Sequence, residues 1–148
     1  MKGFDERGFV FFSNYNSNKG QQISSNSHVS LLFFWKELER QIRIDGICSK
    51  VSAEESDAYF NSRPIGSRLG AWASPQSEKI QDREVLVERL AAVTQEFGLE
   101  NVPRPPHWGG YQVMPIRIEF WQGRSNRLHD RILYEQHEHA WQISRLAP

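Results

Sequence analysis

Residues 111–121 read YQVMPIRIEFW, and the alternation inside that stretch decides the fold class. Ile116, Ile118 and Phe120 fall on one face, while Arg117, Glu119 and Trp121 fall on the other. A period of two belongs to a half-buried strand, because successive side chains leave a strand on opposite faces. Working outward, residues 131–135 and 141–145 read as two further strands joined by a short turn. On the other side, Pro103, Pro105 and Pro106 make residues 103–110 a stiff linker. Residues 83–97 carry Val85, Leu86, Leu90, Val93 and Phe97 on one helical face, with Gly98 placed to supply a left-handed cap.

The first third of the chain continues the strand pattern. Residues 8–14 are apolar and aromatic and run into a polar loop, and residues 20–26 suit a short helix. Residues 29–35 form an apolar run of the kind found in a strand buried on both faces. Residues 40–51 alternate through Ile42 and Ile44 and break at Gly46. Ser52 and Glu55 have the spacing of a capping box, in which each side chain can bond the other residue's free N–H. A helix is therefore predicted from there to about Arg63, ahead of Pro64. Strands in runs, interrupted by helices and without a regular βαβ rhythm, predict a mainly β chain with helices, of the α+β class. Its expected architecture is an antiparallel barrel with attached helices.

The chain has 148 residues, which predicts a single domain over 1–148. Lys plus Arg and Asp plus Glu both number 18, so no overall charge directs the protein to nucleic acid or an anionic membrane. Phosphate binding, if present, has to come from local clusters. Cys48 is the sole cysteine, which rules out an internal disulfide and a thiolate metal cluster and suits a reducing cytoplasm. The apolar run 31–35 is far too short to span a bilayer, and residues 1–7 carry charges instead of a signal-peptide core. His137 and His139 flank Glu138 in the predicted hairpin turn; they read as loop residues, and no metal is assigned. Cys48 is expected to be a small core residue, and Trp72, Trp108 and Trp141 are expected in the core or at an interface.

Two segments could carry chemistry. Around Tyr59, Arg63 and Ser67 a phenol, a guanidinium and a hydroxyl sit at a helix end and the loop beyond it, a donor set able to hold a phosphate. Taken alone, that segment reads more readily as a helix end whose Arg63 faces water and whose Tyr59 packs. Residues 121–131, WQGRSNRLHDR, gather three Arg, a His and a Trp at a strand end. If the backbone is extended there, Arg127, His129 and Arg131 point the same way, towards an anion or a polarised ring. A solvated hairpin with Asp130 neutralising its neighbours stands level with that reading.

These segments also carry a family resemblance. Residues 59–77, YFNSRPIGSRLGAWASPQS, with WGGY at 108–111, FWQG at 120–123, RLHDR at 127–131 and the terminal RLAP, resemble the pyridoxamine 5′-phosphate oxidase family in order and spacing. The resemblance runs from Met1 to Pro148. It implies a split β-barrel that binds flavin mononucleotide (FMN) at a homodimer interface. The implied reaction oxidises pyridoxamine or pyridoxine 5′-phosphate to pyridoxal 5′-phosphate and reduces oxygen to hydrogen peroxide. It further implies that Lys2, Tyr59, Arg63 and Ser67 hold the substrate phosphate, and that Arg127 and His129 orient the substrate ring as the catalytic pair. For FMN it implies Phe12, Ser13, Lys19, Gln41, Gln76, Ser77, Trp121 and Arg131.

Two departures from the family pattern shape the remaining expectations. The Arg-rich strand that precedes the Lys-Gly pair in the family has no counterpart ahead of Met1, Lys2 and Gly3, so the barrel is expected to lack N-terminal strand structure. That would leave an open edge beside residues 8–14. Asn18 stands where the family commonly has Arg. The alternative to an oxidase is accordingly a non-catalytic module that binds FMN or pyridoxal 5′-phosphate without turnover.

Overall fold

The longest strand organises the sheet. In the computed structural model, which describes residues 1–138 and 140–148, β5 (Trp108–Gln122) runs antiparallel to three partners. His139 lies outside the described residues. The first half of β5 pairs with β2 (Gly8–Asn14), from Phe9 opposite Val113 to Asn14 opposite Trp108. Its second half pairs with β6 (Asp130–His137), from Arg117 opposite Glu135 to Gln122 opposite Asp130. β4 (Arg40–Lys50) runs along the other edge from end to end. One edge of β5 thus serves two different strands, and the sheet splits where they part. The remaining strands complete the order β1-β2-β5-β4-β3: β1 (Gly3–Asp5) lies beside β2, and β3 (His28–Trp35) beside β4. β7 (Ala140–Arg145) extends β6 on the side branch.

The break expected at Gly46 is a register shift between Asp45 and Gly46. Gly46 faces Pro115, which has no N–H to give the ladder. A Cβ on Gly46 would lie 2.8 Å from Val113 Cγ1, so the bulge lets β4 and β5 approach more closely than a larger residue allows.

Four helices complete the chain. α1 (Asn18–Ser25) starts at Ser17, whose Oγ accepts the Gly20 N–H at 3.2 Å. α2 (Ala53–Asn61) starts at Ser52, whose Oγ accepts the Glu55 N–H at 3.1 Å. The reciprocal half of the predicted capping box is replaced by a contact from Arg7, whose Nη1 donates to Glu55 at 3.3 Å. α4 (Glu84–Phe97) ends at Gly98, whose φ of 67° needs a glycine, but whose ψ of −157° is extended and not that of the predicted left-handed cap.

Two expectations need correction. Residues beyond Pro64 are not loop but a helix, α3 (Ile65–Ala73). Gly66 and Gly70 weaken its sequence signal, yet Leu69 and Ala73 are buried and hold the helix against the core. β3 is not buried on both faces: Leu32 and Phe34 are 61% and 58% exposed, and its inner residues Val29 and Leu31 alone pack against a core cluster. Leu32 and Phe34 point away from Leu31's face, and nothing among the described residues covers theirs.

The core has two centres. Phe60, Leu69, Val102 and Trp108 join the helices to the start of β5, and Cys48, Tyr111 and Val113 fill the concave side of the sheet. Cys48 is buried as expected, and burial pushes its thiol up to about 11. Among the described residues no helix is long and apolar enough to cross a membrane.

Candidate functional site

At the start of β5, α2 and α3 bring Arg63 and Ser67 into a cleft of about 260 Å³ that Asn14, Ser74, Gln76 and Trp108 also line. The Arg63 guanidinium lies 4.7 Å from the Trp108 ring centre and 5.7 Å from that of Phe60. Its Nη1 is buried without a hydrogen-bond partner. Burial pulls the Arg63 pKa below its usual range, with Tyr59 acting in the opposite sense. A buried, unpaired N–H on a fixed cation is costly, and an anion entering the cleft would satisfy it. Arg63 therefore does not face water at a solvated helix end, the reading the segment alone favoured.

The neighbouring groups fit the same purpose. Gln76 Oε1 accepts the Asn14 N–H at 3.3 Å, which orients its amide within the cleft lining. Ser77, next along, has a φ of 73°, a left-handed backbone that closes the turn after α3. Phe12 and Tyr59 stack with ring centres 3.8 Å apart, and both rings stack on Trp108. Gly110, opposite Phe12 in register, makes room for this stack: a Cβ there would lie 2.8 Å from the Phe12 ring. Ser13 is buried beside it on β2. Asn14 and Trp108 were not anticipated as part of the site. The glycine pair after Trp108 was the available signal, since it marks a place where flat groups approach the backbone.

At the other end of β5 the register lines up Phe34, Gln41, Trp121 and Arg131 in one cross-strand row over β3, β4, β5 and β6. Facing residues in adjacent strands share a face of the sheet, so the three residues Gln41, Trp121 and Arg131 meet as the resemblance implies. Arg131 is already engaged: Nε donates to Glu119 at 2.7 Å and Nη1 to the Ala147 carbonyl at 3.0 Å. The hydrogen bond from Arg131 holds the Glu119 carboxyl below its usual range, although burial opposes it.

The hairpin beyond Trp121 departs from the sequence reading. Ser125–Arg127 form a 3₁₀ turn in which Asn126 and Arg127 have φ of 58° and 62°, so the backbone is not extended there. Arg127, His129 and Arg131 consequently do not share a simple alternation. His129 nevertheless meets Trp121, with ring centres 4.9 Å apart. Its Nδ1 accepts the Arg124 N–H at 3.1 Å, which leaves Nε2 to carry the proton of the neutral ring. Asp130 accepts from Arg124 and Arg145 at 2.8 and 2.7 Å. Among the described residues Arg127 forms no ion pair, unlike Arg124 and Arg131, and it is exposed.

The predicted residues thus fall into separate groups within one chain. Phe12, Ser13, Tyr59, Arg63, Ser67, Gln76 and Ser77 gather at the start of β5; Gln41, Trp121, Arg127, His129 and Arg131 gather at its end. From Trp108 to Trp121 at about 3.3 Å per residue, the ends lie on the order of 40 Å apart. Lys2 and Lys19 belong to neither group. The Lys2 backbone N–H bonds the Val10 carbonyl, and Lys19 Nζ sits 5.5 Å from the Phe11 ring centre on the side of the sheet facing β3.

The chain is similar to known proteins along its whole length. Residues 1–97 match the family described as pyridoxamine 5′-phosphate oxidase, and residues 108–148 match the pyridoxine 5′-phosphate oxidase C-terminal dimerisation region. A pyridoxine/pyridoxamine 5′-phosphate oxidase from Paraburkholderia phymatum is 60% identical over 149 residues, covering 100% of this chain and 70% of that protein. The enzyme of the same name from Rubrobacter xylanophilus is 58% identical, covering 100% of this chain and 68% of that protein. The crystal structure of PhzG from Burkholderia lata 383, in complex with tetrahydrophenazine-1-carboxylic acid, superposes with a TM-score of 0.90 at 32% identity. That match covers 99% of this chain and 72% of PhzG. A pyridoxamine 5′-phosphate oxidase-related, FMN binding protein from Nostoc punctiforme shares the fold at 17% identity, with a TM-score of 0.75 over 99% of this chain and 77% of its own.

Proposed function

Because the chain belongs to the pyridoxamine 5′-phosphate oxidase family in both halves of its length, we propose that it is an FMN-dependent oxidase of vitamin B6 phosphates. In this reading it converts pyridoxamine or pyridoxine 5′-phosphate to pyridoxal 5′-phosphate and reduces oxygen to hydrogen peroxide. Residues 1–148 act as one cytoplasmic domain. The observation that carries the reading is the Arg63 guanidinium, held over Trp108 with an unpartnered buried N–H in a cleft shared with Ser67 and Gln76. That suits a phosphate dianion, and a phosphorylated ring is what the Paraburkholderia phymatum and Rubrobacter xylanophilus relatives are named for.

Bound FMN supplies the hydride acceptor, which is chemistry the side chains here cannot provide. Its fit rests on the donor set: the Gln76 amide, Ser77 and Ser13 at one end, and Gln41, Trp121 and Arg131 in their row at the other. Lys19 adds a cation. Arg63, with Ser67 and Tyr59, binds the substrate phosphate; Lys2, which the resemblance adds, lies outside their cleft. Arg127, free of ion pairs among the described residues, and the His129 Nε2–H orient the ring, and positioning of this kind removes much of a barrier.

The protein acts as a homodimer in this reading, with one chain's Arg63 cleft facing the other chain's Trp121 row. The match of residues 108–148 to a dimerisation region supports it, as does the distance between the two groups within one chain.

The test is oxygen uptake and peroxide release with pyridoxamine 5′-phosphate and FMN. Turnover is expected; ligand binding with no peroxide selects the non-catalytic module instead. At pyridoxamine 5′-phosphate concentrations near the wild-type KM, Arg63→Met and Arg127→Leu should each be nearly inactive. Refolded together in equal amounts, they should recover about a quarter of wild-type activity, since half the dimers are mixed and each holds one intact site. No recovery on mixing places both residues in the same chain's site and refutes the shared arrangement.

A further inference from the structure

β5 begins before its ladder with β4 does. That pairing reaches only as far as Lys50 opposite Tyr111, and one more bond, from the Val51 N–H to the Gly110 carbonyl, closes it. On the same edge the Gly110 N–H and the Trp108 carbonyl have no strand to bond among the described residues, and both residues are buried. Buried backbone groups need partners, and here α2 serves in place of a strand. Ser56 Oγ accepts the Gly110 N–H at 3.1 Å. Asp57, the next residue, is linked to the Trp108 carbonyl through Arg104, whose Nη1 donates to the carbonyl at 2.7 Å and whose Nε donates to Asp57 Oδ1 at 2.6 Å.

The Arg104 side chain is 16% exposed and that of Asp57 52%. An ion pair with one partner half in water adds little stability. What the guanidinium contributes is geometry: its planar fork holds two acceptors in fixed directions, one on α2 and one on β5. Pro103 and Pro105 on either side restrict the backbone that carries it. The same stretch also docks α3, since Trp72 Nε1 donates to the Pro103 carbonyl at 2.7 Å and His107 Nε2 to the Ala71 carbonyl at 3.2 Å.

Arg63 and Trp108 belong to the two elements so joined. Trp108 opens β5, and Arg63 follows α2, its N–H bonded to the Phe60 carbonyl at 3.1 Å. Arg63 lies six residues beyond Asp57, about 9 Å at the helical rise, so a tilt of about 6° at the tie moves it by about 1 Å. A displacement of about 1 Å can cost up to about 10²-fold where groups must be held in register.

We propose that Arg104 is a positioning residue for the substrate phosphate. By tying Asp57 to the Trp108 carbonyl it fixes the Trp108 ring against the Arg63 guanidinium, and with it the direction of the unpartnered Nη1. The proposal rests on the reading of the Arg63 cleft as the phosphate site. Arg104 does not line that cleft, so it acts on the ligand only through α2 and β5.

The experiment measures dissociation constants of pyridoxal 5′-phosphate and of unphosphorylated pyridoxal on the 148-residue chain with FMN present, beside thermal melts. Arg104→Met should raise the constant for pyridoxal 5′-phosphate about tenfold and leave that for pyridoxal within about twofold. An equal loss for both ligands makes Arg104 a general scaffold residue and overturns the proposal. Arg63→Met controls for the reading of the cleft. If it leaves pyridoxal 5′-phosphate binding unchanged, the cleft is not the phosphate site and the proposal falls with that reading. A rise with Arg63→Met and none with Arg104→Met overturns the proposal alone. Should Arg104→Met fail to fold, Asp57→Ala removes the same tie from its exposed end with a residue that favours the helix. The same phosphate-selective rise is expected there with a melt within about 4 °C of wild type, and an unchanged constant overturns the proposal. None of these readouts depends on turnover.

Discussion

Replacing Arg63 with Met should move stability and binding in opposite directions. The guanidinium presently keeps Nη1 buried with no partner, a cost of about 1–3 kcal/mol to the empty protein. Against this, its contact with the Trp108 ring at 4.7 Å returns about 0.5–2 kcal/mol. Methionine keeps an unbranched apolar stem over Trp108 and removes the unsatisfied donor. The two effects nearly cancel, so the empty variant should melt within about 4 °C of wild type, on the stabilised side if anything. Phosphate binding loses far more. Two charge-assisted hydrogen bonds at about 1.5–2 kcal/mol each amount to a rise of roughly 10²–10³-fold in KM. Because the grip is remote from the reacting carbon and equal in ground and transition states, kcat should change little. Thermal melts of the empty protein and steady-state kinetics with pyridoxamine 5′-phosphate measure both arms. A fall in Tm beyond about 4 °C with KM unchanged would make Arg63 a structural cation and sink the anion-receptor reading.

Four further outcomes follow from the packing. Gly110→Ala should cost about 1–3 kcal/mol in denaturant melts and weaken the near-ultraviolet signal of the Phe12–Tyr59–Trp108 stack, since the added methyl lies 2.8 Å from the Phe12 ring. Arg131→Leu should cost about 1–3 kcal/mol by stranding Glu119, whose side chain is 12% exposed, and Glu119→Gln in that background should recover part of it. The depressed Glu119 carboxyl contributes stability above its unfolded pKa that is lost as pH falls through its folded one, so the acid-side decline, to which Asp45 and Asp130 also contribute, should be shallower in Glu119→Gln than in wild type. The Cys48 thiol, raised to about 11, stays neutral in the folded chain while the unfolded chain ionises from near 9. Stability is thus intact below that pH and falls above it, by roughly 2–3 kcal/mol, a slope that Cys48→Ala should remove.

Periodic features were legible before the structure was seen. The alternation of 111–121, the Ser52 cap and the Gly98 terminus each express a local rule, and β5, α2 and α4 appear where those rules place them. What failed was non-local. α3 is a helix because Leu69 and Ala73 find a core contributed by Phe60, Val102 and Trp108, and nothing within residues 65–73 announces those partners. The exposure of Leu32 and Phe34 depends on which strand ends the sheet, and order along a sheet is not written in one strand's composition. The candidate site shows the same division. The cluster at 121–131 was visible as an unusual density of Arg, His and Trp, whereas the Tyr59–Ser67 segment, taken alone, read more readily as a helix end facing water. The free state of Arg127 and the engaged state of Arg131 were not, because Glu119 and Ala147 reach Arg131 only after β5, β6 and the C-terminal segment are in place. The turn at Asn126 and Arg127 defeated the parity argument, since two left-handed residues in sequence break any alternation carried through them.

β5 joins the fold to the function by keeping two incomplete half-sites apart. The Arg63 cleft, at about 260 Å³, is smaller than the roughly 300 Å³ at which pockets for ring-sized ligands begin, so it can grip a phosphate but not enclose what the phosphate is attached to. The Trp121 row has the complementary deficiency. It offers a flat ring, an imidazole N–H and a guanidinium that is unpaired among the described residues, but on a sheet face that none of the described residues walls off. A fifteen-residue strand cannot fold back to bring its ends together, because the ladders to β2, β4 and β6 hold it straight. In the proposed reading the wall each half lacks comes from a second chain, in keeping with the match of residues 108–148 to a dimerisation region. Leu32 and Phe34, left exposed on β3, lie on the same face as the Trp121 row and give such a chain an apolar surface to bury.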